Sequence, residues 1–126
     1  MRKNFGAKEM CYPMPVFIIG TYNEDGTPNA MNAAWGGVTE EAQLTICVDA
    51  DHKTAANVQA RKAFTVSMGT AKYAVACDYV GIVSGNKEPD KIEKAGWHAI
   101  QGGIRRNHHR PFPWRNNCSN GDPRRQ

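Results

Sequence analysis

The fold is decided by one stretch of sequence, PVFIIGTYNEDGTPNAMNAAW, which covers residues 15–35. Residues 15–22 are apolar and rich in β-branched and aromatic side chains, which is typical of a buried strand. Asp25 and Gly26 predict a tight turn, because glycine accepts the positive φ that such a turn needs. A second strand is predicted over residues 27–35. The two strands form an antiparallel hairpin, which excludes a doubly wound parallel sheet because parallel strands need a far longer connection.

Short strands and helices are predicted after this hairpin. Gly36 and Gly37 are expected to break the second strand, because glycine weakens strand interiors. Four strands and three short helices in total indicate an α+β fold, mainly β, with a largely antiparallel sheet that curls into a small barrel. The later elements are strands at 43–48 and 63–68, a helix at 55–62 capped by Thr54, a helix after Thr70 with Tyr73, Cys77 and Val80 on one stripe, a loop at 81–87, and a helix at 89–96 that begins with Pro89.

Net charge divides the chain near residue 100. The whole chain carries +4, yet residues 101–126 contain six arginines and one aspartate, so the first 100 residues are close to neutral. Only four of the last 26 residues are apolar, and a length of 126 residues suits one domain. We therefore expect a globular domain over 1–100 and an Arg-, Asn- and Pro-rich tail over 101–126 that buries little of itself.

Composition argues against several functional classes. No apolar run approaches the roughly 18 residues of a membrane span, and the start of the chain lacks the apolar stretch of a secretory signal. Cysteines stand at 11, 47, 77 and 118 without a CxxC pair, which favours reduced thiols in a cytoplasmic protein and no metal site. No Walker loop, GxGxxG, GxSxG or HExxH motif is present, and His108 and His109 are interpreted as solvated tail residues.

The first candidate site is the polar turn between a strand and a helix over residues 49–57. His52, Lys53 and Thr54 precede the helix, where backbone N–H groups are free and the helix dipole is positive. A lysine and a hydroxyl at that position suit a phosphate group. Ordinary helix capping with a solvated Lys53 explains the same residues, and on the residues alone it is the preferred interpretation.

The second candidate site is the run of small residues over 29–37. Small side chains let a flat ligand approach the backbone, and Trp35 could stack on a ring or close one wall. Strand alternation places Met31, Ala33 and Trp35 on one face. A tightly packed central strand with Trp35 in the core is therefore an equally good explanation.

Longer segments of the chain resemble the flavin reductase-like family and, within it, the flavoredoxins. The resemblance covers residues 1 to about 98 with few interruptions, which makes it far more specific than any single short motif. It is carried by YPMPV (12–16), GTY (20–22), PNAMNAAWGG (28–37), RKAFTVS (61–67), DYVGIVSG (78–85) and DK (90–91). This resemblance implies an FMN-binding split β-barrel, usually a homodimer with FMN near the subunit boundary, and redox chemistry supplied by the flavin.

The same resemblance implies roles for individual residues. Lys91 would be a cation beside the phosphate or beside the electron-rich edge of the flavin ring, with a solvated helix charge as the alternative. The implied contacts are Asn32, Ala33, Ala34 and Trp35 along the flavin ring, Asp51, His52, Lys53, Thr54 and Asn57 at the phosphate and ribityl chain, and Ser84, Gly85 and Lys91 on a further loop and helix.

The resemblance ends near His98, where family members continue with further strands. Residues 101–126 show no strand periodicity, and three prolines among many Asn, Gly and Arg residues argue against ordered strands. We interpret this tail as a reading-frame change or a truncation, which translation of the other two frames of the coding DNA would test. A barrel without its last strands exposes sheet edges, so we expect weak or absent FMN binding and a tendency to aggregate.

The sequence thus predicts an FMN-binding oxidoreductase whose catalytic residues are unknown. Electrons would pass through the flavin from NADH, NADPH or a redox protein partner. A non-catalytic flavin-binding module and an inactive fragment of such a protein are the alternatives. Nucleic-acid binding by the tail is disfavoured, since only Phe112 and Trp114 offer stacking and no known binding motif is present.

Overall fold

A β-hairpin organises the fold in the computed structural model, which describes residues 2–8, 12–41 and 43–98. Strand β1 (Phe17–Tyr22) pairs antiparallel with β2 (Pro28–Ala33) along its whole length. In the turn, Gly26 has a φ of +86° and the side chain of Asp25 accepts hydrogen bonds from the backbone N–H and the hydroxyl of Thr27. The predicted hairpin is confirmed, because the turn chemistry and the strand pattern agree.

The described residues form two antiparallel sheets and short helices, as an α+β fold requires. One sheet has the order β2-β1-β5 and the other pairs β3 with β4, and the two are not closed into a barrel. The predicted tail lies outside the described residues. The remaining elements are β3 (Gly36–Glu40), β4 (Gln43–Ile46), α1 (Lys53–Arg61), β5 (Thr65–Met68), a 3₁₀ turn (Ala71–Tyr73), α2 (Ala74–Ile82) and α3 (Lys91–Lys94). Within the described residues, none of these helices has the length and apolar character needed to cross a bilayer.

The prediction that Gly36 and Gly37 end a strand is wrong. They begin β3, and Gly36 lies opposite Ile46 in the pairing with β4. A Cβ atom on Gly36 would collide with the backbone carbonyl oxygen of Thr45. Glycine therefore allows the two strands to approach closely here instead of breaking the strand.

The core lies on one face of the first sheet. Phe17, Ile19, Met31 and Ala33 are buried there, and Ile46, Val48 and Phe64 pack against them. Trp35 was expected on the same face, but its side chain is 50 % exposed. Strand β2 ends at Ala33, so the alternation of faces does not continue to Trp35.

The helices differ from the prediction at several termini, and α3 spans Lys91–Lys94 with Asp90 as its N-cap residue, so it does not begin at Pro89 or extend to residue 96. His52 is the N-cap residue of α1, whereas Thr54 lies inside the first turn and is buried. Helix α2 continues to Ile82, into the segment that was predicted to be a loop. Its buried residues are Cys77 and Val80, whereas Tyr73 belongs to the 3₁₀ turn and is exposed.

Candidate functional site

A buried polar network fastens the start of α1 to the hairpin. The Nδ2 of Asn29 donates hydrogen bonds to the hydroxyls of Thr21 (3.2 Å) and Thr54 (3.0 Å). The Nδ2 of Asn57 donates to the Thr21 hydroxyl (3.1 Å) and to Oδ1 of Asn23 (2.8 Å). Thr21, Asn29, Thr54 and Asn57 are all buried. Because buried polar groups are costly when unpaired, this network fixes where the helix begins relative to β2.

A cavity of about 100 Å³ opens beside this helix start. It brings together two groups of predicted site residues that are about 30 positions apart in the sequence, the turn before α1 and the segment after α2. Six predicted residues line it: His52, Lys53, Thr54, Ser84, Gly85 and Lys91. The other lining residues are Asn29, Met31, Val80, Gly81, Ile82 and Val83.

The electrostatic character of the cavity favours an anion. The N-cap residue of α1, His52, makes no side-chain cap hydrogen bond, and the first N–H groups of an α-helix have no partner inside the helix. Two lysines, Lys53 and Lys91, line the cavity, and none of its described lining residues is acidic. The Nδ1 atom of His52 is buried without a hydrogen-bond partner among the described residues. The start of α1 and two lysines thus belong to the lining of the same small cavity, an arrangement that suits an anion.

The outer wall of the cavity is the turn after α2. A Cβ atom on Gly85 would collide with Oδ1 of Asn29 and would lie 3.5 Å from Cβ of Lys53. Glycine therefore lets this turn approach β2 and α1 closely. The Nδ2 of Asn86 donates a 3.0 Å hydrogen bond to the backbone carbonyl of Asp51, which joins the same turn to the segment before α1.

Lys91 is buried, with 3 % of its surface exposed. Its Nζ donates hydrogen bonds to the backbone carbonyls of Val80 (3.0 Å) and Val83 (2.9 Å), at the C-terminal end of α2. Desolvation by burial lowers the pKa of its ammonium group from the ordinary value of 10.5. The burial rules out the alternative that Lys91 is a solvated helix charge.

The other predicted site residues do not line this cavity. Asn57 belongs to the buried network, Asp51 contributes its backbone carbonyl to Asn86, and Ala33 lies in the core. Asn32 lines a second cavity of about 310 Å³, and its Oδ1 is buried without a hydrogen-bond partner among the described residues. That cavity is also lined by Val16, Gly69, Thr70, Ala71, Ala74, Cys77 and Asp78. Ala34 and Trp35 follow the end of β2.

Sequence reasoning missed Asn29 as a site residue. It was noted only as part of the run of small residues, yet it contacts the helix start and limits the approach of Gly85. A usable signal existed, because an asparagine in a strand of small and apolar residues is typical of a buried hydrogen-bonding position.

A group of possible metal ligands lies near the cavity, although the sequence predicted none. Ligand atoms of Asp49, Asp51 and His52 lie within 4.8 Å of one another. Both carboxylates are exposed, and such groups commonly occur without a metal ion.

Comparison with known proteins identifies the class. Residues 10–112 match the sequence model of the flavin reductase like domain, and the matched range runs past residue 98, where the resemblance to the family was expected to end. Because the match covers most of the chain, the chain belongs to the flavin reductase-like family. No functionally curated protein matches the chain in sequence.

Solved structures connect the chain to particular family members. The flavoredoxin of Desulfovibrio vulgaris (Miyazaki F) is 35 % identical and superposes with a TM-score of 0.75 over 82 % of this chain and 57 % of its own length. The flavoredoxin from Methanosarcina acetivorans is 23 % identical (TM-score 0.64), over 81 % of this chain and 55 % of its own. An FMN-binding domain of a flavin reductases-like enzyme from Shewanella baltica OS155 is 20 % identical (TM-score 0.59), over 71 % of this chain and 49 % of its own length. The last two show the fold alone, and the chain spans about half the length of all three.

Proposed function

We propose that this chain binds FMN and acts as an oxidoreductase of the flavin reductase and flavoredoxin type. The observation that carries this proposal is the cavity at the start of α1, which combines uncapped N–H groups with Lys53 and Lys91. Membership of the flavin reductase-like family and the similarity of the chain to the flavoredoxin of Desulfovibrio vulgaris support it.

The cavity fits the phosphate end of FMN. A phosphate monoester carries a charge between −1.5 and −2 at about pH 7 and offers several strong acceptor oxygens. The N–H groups of Lys53 and Thr54, the Thr54 hydroxyl and the two lysines supply donors of matching charge. A volume of about 100 Å³ is smaller than the roughly 300 Å³ at which pockets for larger ligands begin. The rest of the cofactor would therefore lie outside this cavity.

The isoalloxazine ring would lie along residues 32–35. Trp35 is half-exposed and free to stack, and the Asn32 side chain has a buried Oδ1 without a hydrogen bond to the described part of the chain. Ala33 and Ala34 would let the ring approach the backbone. Bound FMN supplies the redox chemistry, and the protein orients it and excludes water.

Asp51 and Asn57 would act indirectly. The carbonyl of Asp51 holds the turn that contains Asn86, and Asn57 holds the start of α1 against the hairpin. Both would position groups that contact the phosphate. Ser84 and Gly85 would form the opposite wall.

The electron donor and the quaternary structure form the second part of the proposal. NADH, NADPH or a redox protein would reduce the flavin, and two copies of the chain would form a homodimer. Exposed apolar side chains on the strands, such as Val38 and Met68, provide surface that a partner copy could cover. A soluble, cytoplasmic protein is consistent with these partners.

Flavin binding and turnover can be tested separately. FMN and riboflavin titrations of the full chain, followed by flavin fluorescence, measure the contribution of the phosphate. We expect Lys53→Met to weaken FMN binding about tenfold with little effect on riboflavin. Lys87→Met, which removes an exposed lysine from the turn after α2, is the matched control. Oxidation of NADH and NADPH by the FMN-loaded chain then distinguishes an oxidoreductase from a flavin-binding module, and failure to bind FMN would refute the proposal.

A further inference from the structure

Lys91 is a buried cation that forms no ion pair with the acidic side chains of residues 2–8, 12–41 and 43–98. Burial lowers the pKa of its ammonium group, and the hydrogen bonds of Nζ go to the backbone carbonyls of Val80 and Val83. Neighbouring acidic groups are engaged elsewhere, since Asp90 and Glu88 both pair with Lys94 (3.3 and 2.8 Å). Removing a cation from water is costly, and a position that retains one needs specific partners.

Those partners are carbonyl oxygens at the end of α2. The last carbonyls of a helix have no N–H partner inside the helix and carry the negative end of its dipole. Nζ of Lys91 donates to two carbonyls in this region, on Val80 and Val83. The side chain thus reaches back from α3 to carbonyls at the C-terminal end of α2.

We propose that Lys91 is a positioning residue for the phosphate cavity, which it shapes through the end of α2. Val80 and Val83 line the cavity and lead directly into Ser84 and Gly85. By fixing both carbonyls, Lys91 holds this wall against Asn29, and thereby keeps the cavity at the size of a phosphate group.

Besides a local hydrogen bond from the N–H of Asn86 to the Ser84 hydroxyl (3.3 Å), two other groups of polar side-chain contacts hold the wall in the described residues. One is the hydrogen bond from Asn86 to the carbonyl of Asp51, which is exposed. The other is the group of Tyr79, Glu88 and Lys94, in which the Tyr79 hydroxyl and Glu88 are 3.2 Å apart. Neither contacts the C-terminal carbonyls of α2, so neither substitutes for Lys91.

The ammonium group has a third N–H. A lysine has three donors, and two of them are accounted for by Val80 and Val83. Since Lys91 lines the cavity, an anionic ligand would compensate the charge that the described part of the chain leaves without a carboxylate partner. Loss of Lys91 should therefore affect a phosphorylated ligand far more than the same ligand without phosphate. This inference rests on the proposed function.

The experiment compares two variants with one control in the full chain. Lys91→Met keeps the approximate length of the side chain and removes the charge and donors. Gly85→Ala keeps Lys91 but displaces the wall, because a Cβ there collides with Asn29. Lys87→Met controls for the loss of an exposed lysine. Affinities for FMN, riboflavin and inorganic phosphate are measured, together with amide hydrogen exchange at Lys87 and Glu88, whose N–H groups both donate to the carbonyl of Ser84.

We expect Lys91→Met to weaken binding of FMN and of inorganic phosphate about tenfold or more and riboflavin by less than about threefold. Exchange at Lys87 and Glu88 should accelerate while exchange in β1 stays unchanged. Gly85→Ala should lower the preference for FMN over riboflavin in the same direction, and Lys87→Met should leave it unaltered.

Two results would overturn the inference. In one, Lys91→Met weakens FMN and riboflavin equally, which indicates a general loss of structure. In the other, exchange at Lys87 and Glu88 is unchanged. If the unsubstituted chain binds no FMN, the proposed function fails, and phosphate affinity with hydrogen exchange still decides the role of Lys91. If Lys91→Met does not fold, an unchanged FMN preference in Gly85→Ala overturns the inference.

Discussion

Replacing Asn29 by alanine tests whether the buried network determines where α1 begins. The substitution removes the carboxamide that donates to the hydroxyls of Thr21 and Thr54. Thr21 keeps a partner, because Asn57 still donates to its hydroxyl at 3.1 Å. Thr54 loses the hydrogen bond that ties the first turn of α1 to β2.

The magnitude follows from these contacts. Each hydrogen bond contributes about 0.5–1.5 kcal/mol, and a buried hydroxyl left without its partner costs about 1–3 kcal/mol. Asn29 itself is 4 % exposed, so water does not replace the lost amide without rearrangement. We expect Asn29→Ala to lower the free energy of unfolding by about 3 kcal/mol, a large part of the about 5–15 kcal/mol of a typical domain.

Urea unfolding followed by circular dichroism measures this change, with linear extrapolation to water. Asn86→Ala is the matched control, because it removes the same side chain from an exposed hydrogen bond of 3.0 Å. The control should cost less than about 1 kcal/mol. If Asn29→Ala lowers the free energy of unfolding no more than Asn86→Ala does, with the same urea m-value, the network does not hold the start of α1 in place.

Three further predictions concern glycine, arginine and pH. Gly36→Val should lower the free energy of unfolding by about 2 kcal/mol or more, because the Cβ collides with the carbonyl of Thr45. In the same urea assay, Gly37→Val should lower it much less, because a Cβ at Gly37 meets nothing within 4 Å. Arg61→Met loses hydrogen bonds from the guanidinium to the carbonyls of Asn23 (2.7 Å) and Glu24 (2.9 Å). Because the site is exposed, we expect the free energy of unfolding to fall by less than about 1 kcal/mol in the same assay. The hydrogen bond and charge of Lys94 lower the pKa of Glu88 from its ordinary value of 4.5. The stabilisation of the folded state by ionised Glu88 is therefore fully present above about pH 4.5 and is lost as the pH falls through the folded-state pKa. Urea midpoints against pH should show this acid-side loss in the unsubstituted chain and a smaller one in Glu88→Gln; identical pH profiles would contradict the assignment.

Local patterns predicted the elements well and their ends less well. The hairpin was predicted because Asp25 and Gly26 favour the turn irrespective of the rest of the chain. The end of α2 was missed because no local pattern marks it, and Lys91, which donates a hydrogen bond to the Val83 carbonyl there, lies eight residues further along the chain. The strand at Gly36 was missed because its glycine is required by the close approach of Thr45, which no local pattern shows.

The candidate site was predicted in part. His52, Lys53 and Thr54 were identified from the helix start, but on the residues alone they were better explained as capping residues. Only the packing of α2 and α3 brings the turn after α2 to them. The role of Asn29 was missed because its partner Thr54 is 25 residues away in the sequence.

By itself, the sequence determined the antiparallel hairpin, the α+β class and the resemblance to the flavin reductase-like family. Each depends on interactions between residues a few positions apart or on motifs in the chain, which are visible without coordinates. Only the tertiary structure decided that Lys91 is buried against the carbonyls of Val80 and Val83 and that a small, positively charged cavity forms beside it. The physical reason is that burial and the pairing of buried polar groups depend on how distant elements pack, and helix α2 packs on β2, which lies far before it in the chain.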